Sequence, residues 1–410
     1  MLNRNPPALP VHNCAETLSS KFSIYFADKI TTIRRNLDST QSENKFPDPT
    51  SVDFPPLSCF SPATTGEVLN VIKQSRNASS ILDPVPTWFL KERRNIHCLL
   101  PVLTEIINSS LLSGTFPSAA RKAIIRPTLK KSSLDKNSLR NYRPVSNLSF
   151  LGKILEKVAC SRLIKHMNEN NLTDPFQSAY KSCHSTETAL VKVKNDIMAA
   201  LDVNQVVLLV LLDLSAAFDT IDRQTLLSRL SRRIGVHDIA LQWFESYLAE
   251  WSTRVNVKGK LSSPSPVTIG LPQGSVFGPL GYTIYTLPIG DTARHHHVSY
   301  HTYADDTQLY VTFDPKIPGN QETALETLSL CILDIQSWMT FNKLKLNQDK
   351  TEFLVIGSQH NLKRLHNPIL RVGDTQVTAS TSVRNLGAYL DCNMTMIPHV
   401  TISVVLHGFI

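Results

Sequence analysis

The sequence predicts an α+β protein, because helix and strand patterns mix in irregular order instead of repeating as regular βαβ units. The apolar run Val206–Leu212 predicts a strand that is buried on both faces. Residues 297–313, HVSYHTYADDTQLYVTF, predict two strands joined at a pair of aspartates. Residues 185–201 and 322–339 repeat apolar side chains at helical spacing. Hairpins and amphipathic helices are therefore expected to share a core.

Composition favours a folded, basic protein. The chain has 410 residues, of which 42% are hydrophobic, so it can bury a sizeable core. It carries 42 Lys and Arg against 34 Asp and Glu, a formal charge of +8, which suits a polyanionic partner such as nucleic acid. The 7 cysteines lie far apart without a C-x-x-C pair, so neither a zinc cage nor a disulfide framework is indicated.

The sequence offers no segment that predicts secretion or a membrane partner. Its start, MLNRNPPALPVHN, lacks the apolar stretch of a signal peptide. The longest apolar run, Val206–Leu212, is far too short to cross a bilayer of about 30 Å. We therefore expect an intracellular protein with no membrane partner, and the pattern does not distinguish nucleus from cytoplasm.

The first part of the chain predicts helices and one basic stretch. Residues 1–65 are rich in Pro, Asn, Ser and Thr and predict a loosely packed leader with one helix. Residues 66–112 predict a helical segment, with Gly114 as its stop signal. Residues 121–143 carry eight basic residues against a single acidic one, Asp135. This composition fits either a solvated surface loop or a surface that binds nucleic acid.

The middle and end of the chain alternate helices with strands. Ser185 predicts the cap of the helix at 185–201. Further helices are predicted at Leu226–Ile234, which Gly235 stops, and at Asp238–Glu250. TRVNVKG alternates as a strand, and GLPQGSVFGP is typical of a Gly/Pro loop. KLKLNQDKTEFLVIG predicts a pair of strands.

Three aspartates can meet at one end of the predicted sheet. Asp213 ends the buried strand, and Asp305 and Asp306 occupy a hairpin turn that can lie beside it. Like charges repel, so such a cluster is tolerable when divalent cations neutralise it, and hard oxygen ligands are what Mg²⁺ prefers. Two ions about 3.5 to 4 Å apart can stabilise the attacking and leaving oxygens of a phosphoryl displacement. The cluster therefore predicts metal-assisted phosphoryl transfer.

Several stretches resemble the reverse transcriptases of LINE-type (non-LTR) retrotransposons in order and spacing: LLDLSAAFDTID, GLPQGSVFGPL, YADDTQLY, LKLNQDKTEFLVIG and VRNLGAYLD. Upstream, NYRPVSNLSFLGKILEKV and FQSAYKSCHSTETAL resemble the fingers segments of the same family. The resemblance implies a right-hand polymerase fold over residues 113–391, with helical fingers and an antiparallel-sheet palm. It also implies that the thumb is largely missing and that residues 392–410 form an irregular truncated tail.

The resemblance assigns roles to the carboxylates. Asp213, Asp305 and Asp306 become the catalytic residues and the ligands of two Mg²⁺ ions, or of Mn²⁺ in their place. The backbone carbonyl of Leu214 becomes a further metal contact. Lys350 resembles the basic residue that protonates the leaving pyrophosphate, and an ordinary surface lysine is the alternative interpretation.

The resemblance also implies substrate-binding residues. Phe218 resembles the ring that excludes a ribose 2′-OH, and a core phenylalanine is the alternative. Gln273 and Gly274 resemble the loop that lies over the nucleotide and the template, where Gly permits close backbone approach and Gln can hydrogen-bond. A simple Pro/Gly turn is the alternative there. Arg143 and Lys181 match positions of cations near the nucleotide triphosphate.

The implied function is an RNA-directed DNA polymerase that extends a DNA primer with dNTPs on an RNA template. The largely missing thumb and two departures favour the alternative, a catalytically inactive, decayed or repurposed remnant that at most binds RNA. SAYKS has Lys181 where arginine is usual, and lysine does not reproduce the bidentate grip of arginine on phosphate. VFGPLGYTIY places Phe277 and Gly281 in a stretch that the family fills with Leu or other apolar residues.

Overall fold

The computed structural model describes residues 9–40, 48–49, 52–77, 80–83, 85–373 and 375–406. The α-helices are α1 (Ala15–Ser39), α2 (Thr65–Gln74), α3 (Thr87–Lys91), α4 (Arg93–Ser113), α5 (Phe150–Glu169), α6 (Thr186–Asp202), α7 (Arg223–Arg232), α8 (Asp238–Leu248), α9 (Phe277–His295), α10 (Asn320–Phe341), α11 (Gln359–Leu362) and α12 (Ile397–Leu406). The strands are β1 (Lys122–Leu129), β2 (Tyr142–Leu148), β3 (Val206–Leu212), β4 (Leu214–Ser215), β5 (Trp251–Val257), β6 (Lys260–Leu261), β7 (Ser265–Val267), β8 (Ser299–Tyr303), β9 (Asp306–Phe313), β10 (Lys345–Leu346), β11 (Glu352–Ile356), β12 (Ile369–Val372), β13 (Thr375–Thr378), β14 (Ser382–Asn385) and β15 (Ala388–Asp391). Parts of the predicted leader and the end of the predicted tail lie outside the described residues.

The chain forms two compact units, each assembled from several segments of sequence. The first unit comprises Met1–Asn36, Asp48–Leu172 and Phe218–Tyr285. The second unit comprises Leu37–Pro47, Thr173–Ala217 and Thr286–Ile410. Helices and antiparallel hairpins mix within both units, which confirms the predicted α+β class.

The sheet of the first unit has the order β2-β1-β5-β6, with β7 also paired to β5. β1 and β2 form an antiparallel hairpin, and β1 runs parallel to β5. The basic stretch at 121–143 is therefore strand at its two ends, in β1 and the first residues of β2, and residues 130–141 form the surface connection between them. Ile124 and Ile125 of β1 are buried, whereas Lys122 and Arg126 of the same strand stay exposed. The number of charged residues does not show which positions of β1 are buried and which are exposed, because the stretch has few apolar positions.

Helix α1 packs closely against this sheet, which differs from the loosely packed leader that the sequence predicts. Phe22 is fully buried and Phe26 is 6% exposed. The Phe22 ring meets the Tyr142 ring edge-on at 5.0 Å between centroids. Ile125 and Val255 complete the same core cluster. The apolar face of α1 thus outweighs the polar composition around it.

Helix α4 ends as predicted, with Gly114 in the left-handed region at φ 64°. Ile107 and Leu111 are fully buried within the first unit. By length and composition α4 is apolar enough to cross a membrane, and it is the one helix among the described residues that passes this test. One such helix is weak support for a membrane span, because core helices of soluble proteins have the same composition.

The sheet of the second unit has the order β11-β3-β9-β8, and every pair in it is antiparallel. Residues 206–210 of the central strand β3 are all 0% exposed, as a strand covered on both faces requires. Val193 and Ile197 of α6 belong to the same core. Ser185 and Thr188 form a capping box at the start of α6, which confirms the predicted helix start.

Two predicted elements near the end of the chain differ in the structure. KLKLNQDKTEFLVIG is not a pair of partnered strands, because β10 pairs with β4 whereas β11 pairs with β3. A short 3₁₀ turn, Gln348–Lys350, separates them. Alternation reports which face of a strand is buried and not which strand lies beside it. The predicted irregular tail contains helix α12.

Candidate active site

The register of the second sheet brings the three predicted carboxylates to one edge. Leu212 pairs with Thr307 across β3 and β9, so the next residue, Asp213, comes opposite Asp306. Tyr303 pairs with Asp306 across β8 and β9. Ala304 and Asp305 are left as the turn between the two strands. Ala304 has φ 57°, a left-handed conformation that an alanine adopts only at a cost in strain.

Asp213 is held by the segment that follows β10. The backbone N–H of Asn347 donates to the carbonyl of Asp213 at 2.9 Å, and its side-chain amide donates to Oδ2 at 3.0 Å. Lys350 Nζ donates to the same Oδ2 at 3.1 Å. Leu214 is buried in β4, opposite Leu346 of β10. The 3₁₀ turn between β10 and β11 therefore aims both Asn347 and Lys350 at Asp213.

Burial and repulsion from neighbouring carboxylates both raise the pKa values of Asp305 and Asp306. Burial is the largest cause that raises the pKa of Asp305, and repulsion from Asp213 raises it further. Lys350 acts in the opposite direction on Asp305. Partial burial, followed by repulsion from Asp305 and Asp213, raises the pKa of Asp306 to about 6, although much of this residue is exposed. A bound cation would relieve this repulsion.

The donor set fits a hard divalent cation in its chemistry. Carboxylate oxygens suit Mg²⁺ and Mn²⁺, and their mutual repulsion favours any cation that neutralises it. Among the described residues, no three His, Cys, Asp or Glu side chains are arranged so that they could hold a metal ion by themselves. Mg²⁺ usually keeps several waters and takes one or two protein carboxylates together with substrate phosphates. The assignment of Asp213, Leu214, Asp305 and Asp306 as metal ligands stays a prediction.

The segment before α6 docks along β8, the strand that leads into the carboxylate turn. Ser178 N–H donates to the Thr302 carbonyl at 3.0 Å, and Thr302 N–H donates to the Phe176 carbonyl at 2.8 Å. The side-chain oxygen of Gln177 accepts from Ala304 N–H in the turn itself at 3.3 Å. Through these bonds the segment supports the turn from the side, a feature that no local sequence pattern revealed.

Lys181 follows this docked segment. Its Nζ donates to the backbone carbonyl of Asp174 at 2.6 Å, and burial lowers its pKa. The predicted phosphate-binding lysine is therefore engaged with the backbone of its own loop. Tyr180 beside it is 56% exposed and has φ 62°, an uncommon conformation for an aromatic residue.

The other predicted site residues belong to the first unit. Ser146 N–H of β2 donates to the Gln273 carbonyl at 2.8 Å, which ties the LPQGS loop to the β1–β2 hairpin. Gly274 has φ 110°, and a Cβ there would lie 2.7 Å from the Ser146 carbonyl oxygen. Only glycine fits this approach. Arg143, earlier on β2, is exposed, and its guanidinium has no hydrogen-bond partner among the described residues.

Phe218 lies under the same loop. Its carbonyl accepts from Leu271 N–H at 2.9 Å, and its ring stacks on Tyr282 of α9 at 4.7 Å between centroids. The ring is partly exposed, so it is neither a free surface side chain nor a fully buried core residue. Tyr282 was not predicted as part of the site, because the sequence does not show what Phe218 packs against.

The two departures in the stretch after the loop have a packing explanation. Phe277 is fully buried at the start of α9. A Cβ at Gly281 would lie 3.0 Å from the Phe277 ring and 3.1 Å from Leu271, closer than ordinary contacts. The larger ring at 277 and the missing side chain at 281 compensate each other.

Comparison with known families decides the identity of the fold. The family described as "Reverse transcriptase (RNA-dependent DNA polymerase)" matches residues 129–390. This chain belongs to the reverse transcriptase family. The α+β architecture described above is thus the polymerase fold that the sequence predicts, and the family is one of nucleotidyltransferases.

Curated relatives confirm the resemblance to LINE-type reverse transcriptases. The RNA-directed DNA polymerase from mobile element jockey of Drosophila melanogaster is 28% identical over 83% of this chain and 36% of its own length. The probable RNA-directed DNA polymerases from the X-element and BS transposons of the same organism are 24% and 27% identical. These alignments cover 84% and 73% of this chain, and 37% and 32% of those proteins. The chain therefore spans about a third of the length of these relatives.

A solved structure of apo telomerase from Candida tropicalis, truncated from its C-terminal domain, is also similar, with a TM-score of 0.44. The alignment is 11% identical and covers 69% of this chain and 55% of the telomerase chain.

Proposed function

We propose that this chain is an RNA-directed DNA polymerase that extends a DNA primer with dNTPs on an RNA template by two-metal phosphoryl transfer. The observation that carries most weight is the pairing register of β3 and β9, which ends with Leu212 opposite Thr307 and so brings Asp213 and Asp306 to the same edge of the sheet. Separate hydrogen bonds hold the two parts of this cluster: Ala304 N–H in the turn donates to Gln177, and the Asn347 side chain donates to Asp213. Membership of the reverse transcriptase family adds independent support.

Within this proposal, Asp213, Asp305 and Asp306 hold the metal ions, and Asn347 keeps the Asp213 carboxylate in one orientation. The ions supply charge stabilisation for the attacking and leaving oxygens when they are bound. Lys350 donates a proton from Nζ to the leaving pyrophosphate. Its present hydrogen bond to Asp213 shows that the ammonium group reaches the carboxylate cluster.

Four residues bind the nucleotide in this proposal: Arg143, Phe218, Gln273 and Gly274. Phe218 presents a ring edge to the sugar, the LPQGS loop with Gln273 and Gly274 lies over the nucleotide, and the exposed Arg143 guanidinium attracts the triphosphate. Arginine suits this task because its planar donors match phosphate oxygens.

Primer extension tests the proposal directly. Purified protein is incubated with an RNA template, an annealed DNA primer, Mg²⁺ and dNTPs, and the lengthened primer is measured. Asp305→Asn should reduce synthesis by roughly 10³-fold, since it removes a metal ligand worth several kcal/mol in the transition state. Asp314→Asn is the matched control, because Asp314 lies just past the far end of β9. Synthesis by Asp305→Asn at the wild-type rate would contradict the metal-ligand role.

The second candidate is an RNA-binding remnant without catalysis. One observation favours it: Lys181 replaces the usual arginine and is engaged with the Asp174 carbonyl. The same purified protein distinguishes the two functions. RNA binding with no primer extension in Mg²⁺ or Mn²⁺ would support the remnant and exclude the polymerase.

A further inference from the structure

One further carboxylate, Asp219, lies beneath the LPQGS loop. It belongs neither to the cluster of Asp213, Asp305 and Asp306 nor to the predicted substrate-binding residues. Asp219 follows Phe218, and its Oδ1 accepts a hydrogen bond from Gln273 Nε2 at 2.8 Å. Both residues belong to the first unit. The bond joins the segment after β4 to the loop that lies over the nucleotide in the proposed function.

The backbone around Asp219 is fixed on both sides. Leu271 N–H donates to the Phe218 carbonyl, and Gly270 N–H donates to the Ile221 carbonyl, each at 2.9 Å. Gly270 has φ 80°, and a Cβ there would lie 2.6 Å from the Asp219 carbonyl oxygen. Only glycine allows the two segments to approach so closely. These contacts hold the backbone of Asp219 directly beside the segment that leads to Gln273.

The chemistry of the pair sets the direction of the Gln273 amide. An ionised carboxylate can only accept hydrogen bonds, whereas an amide has a donor end and an acceptor end. Asp219 therefore selects the orientation in which Nε2 points toward it. Oε1 is then the end left to other partners, and it accepts no hydrogen bond from the described residues.

The pair lies at the wall of a partly open cavity of about 160 Å³, which residues of α1 and of the sheet of the first unit line. Asp219 is the one charged side chain among the described residues that line this cavity. Lys29 of α1 is the further charged group that acts on it. Asp219 is partly exposed as a residue, but burial of its carboxyl group raises the pKa to about 6, and the Gln273 bond and then Lys29 act in the opposite direction.

We propose that Asp219 is a positioning residue for nucleotide binding: it fixes the Gln273 amide so that Oε1 is presented to the incoming nucleotide. This inference rests on the proposed polymerase function. A positioning role for Asp219 differs from a purely structural one in what it predicts. Loss of the charge on Asp219 should change nucleotide affinity without unfolding the loop.

Asp219→Asn is the decisive variant. Asparagine has nearly the same shape but offers both a donor and an acceptor, so it no longer selects one orientation of the Gln273 amide. At pH 8 the KM for dNTPs should rise about tenfold, in the range expected for a hydrogen bond to a charged group. The kcat value should change much less. Equilibrium binding of dNTPs in Ca²⁺ gives the same comparison without chemistry.

A pH series separates positioning from packing. In the wild type, protonation of Asp219 near pH 6 turns it into a donor, which allows the amide to reverse, so dNTP affinity should fall as the pH drops through that range. Asp306 titrates there as well, but it does so in both proteins. The wild type should therefore lose more affinity between pH 8 and pH 5.5 than Asp219→Asn does.

Asp222→Asn is the matched control. Asp222 lies on the same segment, caps α7 through Thr225 N–H and pairs with Arg34, so its loss should lower stability and leave the KM unchanged. Equal KM values and parallel pH series for the wild type and Asp219→Asn would overturn the inference while leaving the polymerase intact. A wild type that neither binds dNTPs nor extends a primer would overturn the proposed function and the inference together.

Discussion

Phe218 offers a direct residue-scale test of the proposed nucleotide site. Its ring is partly exposed and rests on Tyr282. A ring in contact with the sugar rejects ribose by overlap with the 2′-OH, so Phe218→Ala should raise the use of rNTPs relative to dNTPs. Some stability should also be lost, since the stacked pair is worth about 0.5 to 1.5 kcal/mol beyond its buried area.

Competitive primer extension with dCTP and rCTP measures this ratio of kcat/KM values. Phe218→Tyr is the control, because it keeps the ring and should keep the discrimination. If Phe218→Ala only lowers overall activity while the ratio stays at its wild-type value, the residue has a packing role and the predicted contact with the sugar is wrong.

At this scale the sequence predicted the residues that end strongly patterned elements. Asp213 was found because it follows seven apolar residues, and Asp305 and Asp306 because they interrupt two strand patterns. Asn347 and Asp219 were not found. Each acts through a partner more than 50 positions away, and no local pattern records such a pairing.

Within the first unit, the side chain of Glu156 connects α5 with α8 and with the start of α9. It is 1% exposed, and its Oε2 accepts from the N–H groups of Val276 at 2.6 Å and Phe277 at 3.0 Å, and from the Tyr247 hydroxyl at 3.3 Å. These N–H groups lie at the start of α9, where no other helical carbonyl can satisfy them. Glu156 therefore ties the end of the LPQGS loop to α5.

Burial raises the pKa of Glu156 from 4.5 to about 7, so the folded state favours the protonated form. The stabilisation is fully present below the unfolded-state pKa near 4.5 and is lost as the pH rises through about 7. Glu156→Gln keeps an acceptor and stays neutral, so its free energy of unfolding should depend less on pH between 5 and 8. Urea denaturation across this range measures the difference.

Glu156→Ala is the complementary variant. It leaves one buried and one partly buried N–H group without their acceptor, and the free energy of unfolding should fall by about 2 kcal/mol. If Glu156→Gln and the wild type show the same pH dependence, the ionisation of Glu156 does not affect stability.

Apolar periodicity predicted whether a segment is a helix or a strand better than it predicted which strands pair with each other. The spans of α6, β3 and α10 agree with their apolar repeats. The β1–β2 hairpin and the separate partners of β10 and β11 were missed. Hydrogen bonding to a neighbouring strand depends on tertiary contacts, whereas the side-chain pattern reports only burial.

At the scale of the whole molecule, the net charge of +8 predicts RNA binding that weakens steeply with salt. Lys130 and Lys131 lie exposed at the end of β1, in the basic stretch. Reversal of both charges to Glu should flatten the plot of log affinity against log salt by about one unit for each RNA phosphate that the protein no longer neutralises. Filter binding or fluorescence anisotropy at several salt concentrations gives the slope.

Lys363→Glu with Arg364→Glu is the control for total charge, since these two residues are exposed in the second unit. Equal flattening in both double variants would mean that net charge, and not the basic hairpin, governs binding.

The α+β class and the family were predictable from ordered motifs. The assembly of each unit from separate segments was not, because it depends on contacts between distant parts of the chain.

The central position of β3 has a consequence during translation. β3 ends at Leu212, but its neighbours start only at Asp306 in β9 and Glu352 in β11. A ribosome that adds about 5 to 20 residues per second therefore leaves this strand without a neighbour for roughly 5 to 20 s. Val206–Leu212 is an uncharged, strongly apolar run, the kind of segment that joins other chains into aggregates. Until its neighbours emerge, only α6 among the described core elements is available to cover one face of β3, so we expect the nascent chain to be most exposed to aggregation in this interval.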